Sequence, residues 1–158
     1  MRPRPERMAE AVRLSLESVR SGGGPFGALV VRSDNDEVVA RGANRVTVAH
    51  DPTAHAEIEA IRAACAALGT FALPGCVLYA SCEPCPMCLG AIYWARLDAV
   101  FYAATRADAA ASGFDDARLY DELALPIEKR KLPMTPLLRD EALAAFELWA
   151  AKADRVPY

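Results

Sequence analysis

The sequence predicts a layered α/β domain with a mixed sheet, on the basis of three patterns. Apolar residues at helical spacing indicate an amphipathic helix over roughly residues 6–20, and the turn-forming stretch SGGGPFG ends it. Two β-rich stretches, FGALVV and EVVARG, flank RSDND and indicate a β-hairpin. Further along, a strand–helix–strand succession implies a right-handed parallel crossover. A hairpin and a parallel crossover in one sheet make that sheet mixed.

The later elements follow in chain order. AHAEIEAIRAACAALG predicts a helix closed by Gly69, CVLYAS a strand, PMCLGAIYWAR the crossover helix and AVFYAA the second parallel strand. After them, ADAAASGFDDARLYDELALP predicts loop with short helix, TPLLR a last strand, and residues 140–152 an amphipathic helix. The chain shows no repeat and no linker, so we expect its 158 residues to form one domain.

Composition and charge argue against several classes of protein. The chain is 53% hydrophobic and 25% charged, as is typical of a globular protein. Its formal net charge of −3 gives no electrostatic footprint for nucleic acid, and no apolar run is long enough to cross a bilayer. The N-terminus has no apolar h-region, and an odd count of five cysteines does not suit a disulfide framework. We therefore expect a cytoplasmic protein with reduced thiols and no membrane partner.

Three of the cysteines lie in the stretch SCEPCPMCLGAIYWAR. Proline is favoured as the first residue of a helix, so Pro86 places Cys85 at the N-cap and Cys88 in the first turn. Their spacing lets both sulfurs face the same way, and the positive end of the helix favours their thiolate forms. The pair therefore indicates half of a metal site.

A second helix begins near DPTAHAEIEA, with Asp51 or Thr53 as its cap and His55 in its first turn. One histidine and two cysteines leave the fourth position of tetrahedral zinc open, as catalytic sites do. Glu57 follows two residues after His55, where a carboxylate can touch a zinc-bound water without coordinating the metal.

Other interpretations of the cysteines stay open at this point. Cys82 would be the fourth ligand of a closed, structural zinc site, although it precedes the helix and is expected at the end of a strand. A redox pair at Cys85 and Cys88 would have no use for the nearby histidine and glutamate. Cys65 and Cys76 are expected to be small core hydrophobes.

HAE followed thirty residues later by PCPMC is the signature of the zinc deaminases. The chain resembles the cytidine/deoxycytidylate deaminase superfamily along nearly its whole length. That resemblance implies a three-layer α-β-α domain with a five-stranded mixed sheet. It also implies one Zn²⁺ per chain, held by His55, Cys85 and Cys88, with Glu57 as the catalytic acid and base.

Within the superfamily, GGGPFGALVV, GANRV, FYAATRADAAASGFDD and the terminal VPY resemble the bacterial guanine deaminases. This resemblance implies a hydrolase of purine salvage that converts guanine to xanthine and ammonia. It implies that Phe26 and Asn44 hold the purine and that Asp116 recognises its 2-amino side. It further implies a domain-swapped homodimer, exchanging about residues 140–158, in which Tyr158 of the partner subunit closes over the base.

Two other classes of function remain as alternatives. One is a deaminase of another amine-bearing heterocycle, namely cytosine, an aminotriazine or adenosine in tRNA. The acidic balance disfavours the tRNA version, because RNA binding relies on neutralising phosphates. The other is a zinc-stabilised interaction module without catalysis, and Glu57 argues against it because a structural site does not need that residue.

Overall fold

The computed structural model describes residues 2–158, in two compact units, of which the first ends at Tyr120 and the second spans Asp121–Tyr158. None of the helices in this described range is long and apolar enough to cross a membrane. The elements in chain order are α1 (Pro5–Arg20), β1 (Gly27–Arg32), β2 (Val38–Ala43), α2 (Val46–Ala49), α3 (Ala56–Leu68), β3 (Cys76–Cys82), α4 (Pro86–Trp94), β4 (Ala99–Ala104), α5 (Arg106–Ala111), α6 (Asp116–Ala124), a 3-10 turn (Ile127–Lys129) and α7 (Arg139–Ala151).

The strands form one mixed sheet in the order β2-β1-β3-β4. Strand β1 pairs antiparallel with both β2 and β3, and a register shift marks a bulge between Val30 and Val31. Strands β3 and β4 are parallel and are joined through α4. The predicted hairpin and parallel crossover are both confirmed.

Helices cover both faces of the sheet. Successive strand side chains point to opposite faces, so Leu29 and Tyr79 pack with Ala11 of α1 on one face. Val30 and Leu78 pack with buried residues of α3 and α4 on the other face. The predicted α/β class is therefore confirmed, with the sheet as the middle layer.

The expectation of a fifth strand is wrong, because the described residues contain four strands. The TPLLR stretch is irregular backbone that leads into α7. Pro136 has no N–H to donate to a neighbouring strand, and Leu138 adopts a left-handed backbone with φ of 54°. Leu137 is 84% exposed, so no sheet face covers its side chain.

Helix α1 packs on the sheet through small side chains. Ala11 and Ser18 are buried, whereas Leu16, on the predicted apolar face, is 52% exposed. A Cβ at Gly27 would collide with the backbone carbonyl of Ala11, so only glycine lets helix and strand come this close. The Ser18 hydroxyl donates to the carbonyl oxygen of Asn44 at 3.0 Å. This close packing therefore reaches a residue of the candidate site.

The C-terminal unit has no core of its own. Every residue from 121 to 158 is described, and none of them is buried. On α7, which confirms the predicted last helix, Phe146 and Leu148 are each 71% exposed. Leu132 and Leu137 in the preceding irregular stretch are exposed to a similar degree. The unit thus presents a large apolar surface.

Candidate active site

The start of α4 places two cysteines as predicted. Cys85 is the N-cap, with extended backbone, and Pro86 is the first helical residue. Cys88 lies in the first turn and is fully buried. The backbone changes from extended to helical at the cap, which brings the two sulfurs to one side of the helix start.

The cap of α3 lies two residues after Thr53 and four after Asp51, the two predicted caps. His55 is itself the N-cap, with φ −72° and ψ 154°, and does not lie in the first turn. The reason is a local turn before the helix, in which the carboxylate of Asp51 accepts from the backbone N–H of Thr53 at 2.8 Å and from its hydroxyl at 2.7 Å. Asp51 therefore caps this turn, and the helix begins only at Ala56.

His55, Cys85 and Cys88 form one group whose ligand atoms all lie within 4.8 Å of one another. The His55 Nδ1 atom lies 3.6 Å from Sγ of Cys85 and 3.5 Å from Sγ of Cys88. Tetrahedral zinc with its usual bond lengths to nitrogen and sulfur requires an N–S separation of about 3.6 Å. The group therefore fits one zinc ion and leaves a fourth position for water or substrate.

The side chain of Cys82 points elsewhere. It is buried, and its Sγ lies 3.6 Å from the carbonyl oxygen of Thr105, to which the thiol donates. Burial raises the pKa of Cys82 to about 11, so this residue is a neutral thiol. A neutral thiol outside the metal-binding group does not suit the closed structural site.

Before a metal binds, the two ligand cysteines share one proton. A hydrogen bond from the Cys88 thiol, and then one from His55, lower the pKa of Cys85 to about 4. The same bond and burial raise the pKa of Cys88, and the bond to Cys85 raises the pKa of His55. Metal binding has to release the proton of Cys88.

Glu57 lies in the first turn of α3 and is only 7% exposed. Burial raises the pKa of its carboxyl group to about 7, and the charge of the Cys85 thiolate acts in the same direction. A carboxyl group with a pKa near neutrality can both accept and donate a proton at physiological pH.

Glu57 and the ligands His55 and Cys85 meet in one cavity of about 220 Å³. This volume is below the roughly 300–1,000 Å³ of drug-sized ligand sites and suits a compact molecule. Phe26 and Phe114 form an apolar wall, with ring centroids 4.8 Å apart and planes at 78°. The cavity is lined by Gly24, Phe26, Asn44, Val46, Thr47, His55, Glu57, Glu83, Cys85, Phe114 and Asp116.

The side chain of Asn44 has a defined orientation. Its Oδ1 atom accepts from the backbone N–H of Gly24 at 3.2 Å and from that of Val46 at 3.3 Å. Because the oxygen is used by the chain's own backbone, the amide NH₂ is the group available to a ligand. Asn44 therefore offers the cavity a hydrogen-bond donor.

Asp116 opens α6 and lines the same cavity. Burial raises its pKa, and the charge of the Cys85 thiolate adds to this effect. Its neighbour Asp115 has a side chain that is 70% exposed and pairs with Arg118 at 3.8 Å. Of the two adjacent carboxylates, Asp116 is the one at the site.

Sequence reasoning missed Glu83 and Phe114 among the lining residues. Each lies two residues before a residue it did identify, in the stretches SCEPC and GFDD. Their position inside these motifs is the signal that could have found them. Tyr158 ends the C-terminal unit with 75% of its surface exposed, and its role over the base stays a prediction.

Comparison with known proteins supports the same type of site. Residues 1–104 match the model of the cytidine and deoxycytidylate deaminase zinc-binding region. The chain is 51% identical to the guanine deaminase of Bacillus subtilis (strain 168) over 152 residues, 96% of each chain. It is 45% identical to the tRNA-specific adenosine deaminase of Agrobacterium fabrum over 97 residues, which are 59% of this chain and 62% of the relative.

The fold agrees with these similarities. The X-ray structure of guanine deaminase from Bacillus subtilis matches with a TM-score of 0.93 and 49% identity, over 99% of both chains. The matched family region contains the metal-binding group and Glu57. On its fold, its metal-binding group and its sequence, the chain belongs to the cytidine and deoxycytidylate deaminase family.

Proposed function

We propose that the protein is a zinc-dependent hydrolase that converts guanine and water to xanthine and ammonia. One observation carries this proposal: the buried carboxyl group of Glu57 lines the same small cavity as His55 and Cys85 of the metal-binding group. The extent of the similarities favours guanine over tRNA. The relative that acts on guanine matches 96% of the chain, whereas the tRNA deaminase matches 59%.

The polar groups of the cavity complement guanine. Asp116 supplies a carboxylate that can accept two hydrogen bonds, and Asn44 supplies a donor. Guanine carries adjacent donors at N1 and at its 2-amino group, and acceptors at O6 and N7. In cytosine and adenine, the ring nitrogen beside the amine-bearing carbon has no hydrogen, so Asp116 would face an acceptor there. The rings of Phe26 and Phe114 offer an apolar wall to the flat base.

The reaction requires two proton transfers, and Glu57 is placed to perform both. When bound, zinc supplies Lewis acidity, which lowers the pKa of water from 15.7 to about 7. Glu57 takes a proton from the attacking water and delivers it to N3 of the ring as oxygen adds to C2. It then carries the second proton, from the hydroxyl group now on C2, to the 2-amino group. The bond between C2 and the amino nitrogen breaks, and ammonia is released. Asp116 holds the 2-amino edge throughout and so keeps C2 aligned with the metal site.

An ammonia-release screen tests this proposal. The purified, zinc-loaded chain is offered guanine, adenine, cytosine, their nucleosides and an aminotriazine. We expect guanine to be used far faster than the others, with one xanthine formed per ammonia. Faster ammonia release from cytosine or an aminotriazine would show that the substrate is another heterocycle. No ammonia release from any of the compounds would favour the non-catalytic module.

Replacing Asp116 by alanine should lower kcat/KM for guanine by about 10²-fold or more, because a charged hydrogen bond to the substrate is lost. Zinc content and thermal midpoint should stay as in the wild type. Asp115→Ala is the matched control, since this neighbouring carboxylate is exposed and pairs only with Arg118 in the described contacts. A normal rate in Asp116→Ala, with a loss in Asp115→Ala, would show that the wrong aspartate is assigned.

We also propose that the protein forms a homodimer in which the C-terminal unit packs on the partner subunit. The support is its lack of any buried residue between 121 and 158, together with its exposed apolar side chains. An isolated surface of this kind is costly in water and is typical of an interface. In the proposed dimer, Tyr158 of the partner subunit covers the base and excludes water.

Hybrid dimers test the action of the tail across the interface. One variant carries Glu57→Ala with an intact tail, and the other keeps Glu57 but lacks residues 156–158. Each alone should be nearly inactive, and co-refolding at equal amounts should restore about a quarter of the wild-type activity, because half of the dimers are hybrids with one complete site. If nothing returns, the tail acts within its own chain. Full activity of the deletion alone would exclude the lid.

We place the protein in the cytoplasm. All five cysteines are unpaired, which suits a reducing compartment. Fractionation of cells that produce the tagged protein tests this proposal, and recovery with secreted material would contradict it.

A further inference from the structure

A charged pair joins the end of β3 to the start of α5. The backbone N–H of Arg106 donates to one carboxylate oxygen of Glu83 at 3.0 Å, and the Arg106 Nε atom lies 3.5 Å from the other oxygen. The Glu83 side chain is 19% exposed and lines the cavity two residues before the ligand Cys85. Both oxygens of this carboxylate are therefore engaged by a single arginine.

The same arginine also contacts α6. Its guanidinium carbon lies 4.4 Å from the ring centroid of Tyr120, a cation–π arrangement. The hydroxyl of Tyr120 donates to the carbonyl oxygen of Pro84 at 2.9 Å. Pro84 lies between Glu83 and Cys85. Arg106 and Tyr120, which we call the Arg–Tyr pair, therefore both contact the short segment that leads into the metal-binding group.

The register of α6 links this pair to the substrate. Tyr120 follows Asp116 by four residues, so the two side chains share one face of the helix. Contacts that hold Tyr120 against residues 83–84 therefore also decide which way Asp116 points. We propose that Arg106 and Tyr120 are positioning residues that hold Asp116 in its substrate-binding orientation. This inference rests on the proposed guanine deamination, in which Asp116 binds the 2-amino edge.

The charge of Arg106 has a second consequence. Three carboxylates, those of Glu57, Glu83 and Asp116, line one small cavity. Among the described ion pairs, Glu83 is the one of these three with a cationic partner, namely Arg106. Arg106→Ala keeps the backbone N–H that binds Glu83 but removes the guanidinium, so the cavity keeps three carboxylates and loses the cation beside one of them.

A double-mutant cycle in the full-length, zinc-loaded protein tests the proposal. Arg106→Ala should lower kcat/KM for guanine by about 10–10²-fold, since a small misplacement of a substrate-binding group has effects of this size. In an Asp116→Ala background, the same substitution should cost no more than about twofold, because the group that it positions is already gone. If the loss of kcat/KM in the double variant equals the product of the losses in the two single variants, the proposal is wrong.

Further variants separate positioning from general destabilisation. Arg106→Lys keeps the charge but lacks the planar group that stacks on the ring, and Tyr120→Phe keeps the ring but loses the bond to Pro84. Both should fold, keep their zinc, and show part of the loss. Arg118→Ala is the matched control, because this arginine on α6 pairs with the exposed Asp115. Wild-type kinetics in Arg106→Lys and Tyr120→Phe would contradict the proposal.

Amide hydrogen exchange keeps the test independent of the substrate. Exchange of the Asp116–Ala124 segment should become faster in Arg106→Ala and Tyr120→Phe and remain unchanged in Arg118→Ala. If the wild type does not deaminate guanine but this pattern holds, the proposed substrate fails and the positioning contact stands. If exchange is unchanged in all three variants, the positioning role is wrong, whatever the substrate.

Discussion

Replacing either ligand cysteine by serine should leave the protein without zinc and abolish deamination. The group formed by His55, Cys85 and Cys88 supplies three ligands, and removing one leaves two, which cannot hold the ion in a catalytic geometry. A serine hydroxyl is not a substitute, because it is not deprotonated at neutral pH as the zinc-bound thiol is. Metal analysis after dialysis should find one zinc per wild-type chain and none in Cys85→Ser or Cys88→Ser.

Cys82→Ser is the matched control for this prediction. Cys82 lies only three residues from Cys85, but its thiol donates to the carbonyl oxygen of Thr105, and a serine hydroxyl can make the same bond. We expect zinc content and deamination close to those of the wild type. Loss of zinc from Cys82→Ser would instead support the closed structural site with four protein ligands, and would argue against catalysis.

Features that depend on neighbouring residues could be predicted from the sequence. Proline is favoured at the first position of a helix in any protein. The positions of Cys85 and Cys88 relative to Pro86 therefore followed from local preference alone. The start of α3 was less certain for a physical reason. The Asp51 side chain can cap either a helix or a turn. In the structure it accepts hydrogen bonds from Thr53 and caps the turn.

Features that depend on distant contacts could not be predicted. The pattern of TPLLR permits a strand, but no property of these five residues shows whether a neighbouring strand is present. Helix α1 buries Ala11 and exposes Leu16, because close approach to Gly27 outweighs the hydrophobic pattern. The contact of Arg106 with Tyr120 likewise depends on which face of α6 meets the cavity.

Glu57→Ala should keep the fold and the zinc but lower kcat by about 10²–10⁴-fold, the usual contribution of general acid–base catalysis. Glu57 is not among the metal-binding group, so the ion does not depend on it. Its carboxyl group is buried in the cavity with a pKa of about 7, and no other carboxyl group of the cavity has so little exposed surface. Steady-state kinetics with guanine, together with metal analysis of the same sample, measure both effects.

The alternative role for Glu57 is a helix-start carboxylate that interacts with the α3 dipole. Glu59→Ala distinguishes the two, since Glu59 lies in the same first turn but pairs at the surface with Arg62 at 3.4 Å. If the dipole were the reason, both alanine variants would lose a little stability and keep their rates. For a proton carrier, Glu57→Ala and the isosteric Glu57→Gln should both be slow, because neither side chain can transfer a proton, while Glu59→Ala stays close to the wild type. Near-normal turnover by Glu57→Gln would exclude the proton-transfer role.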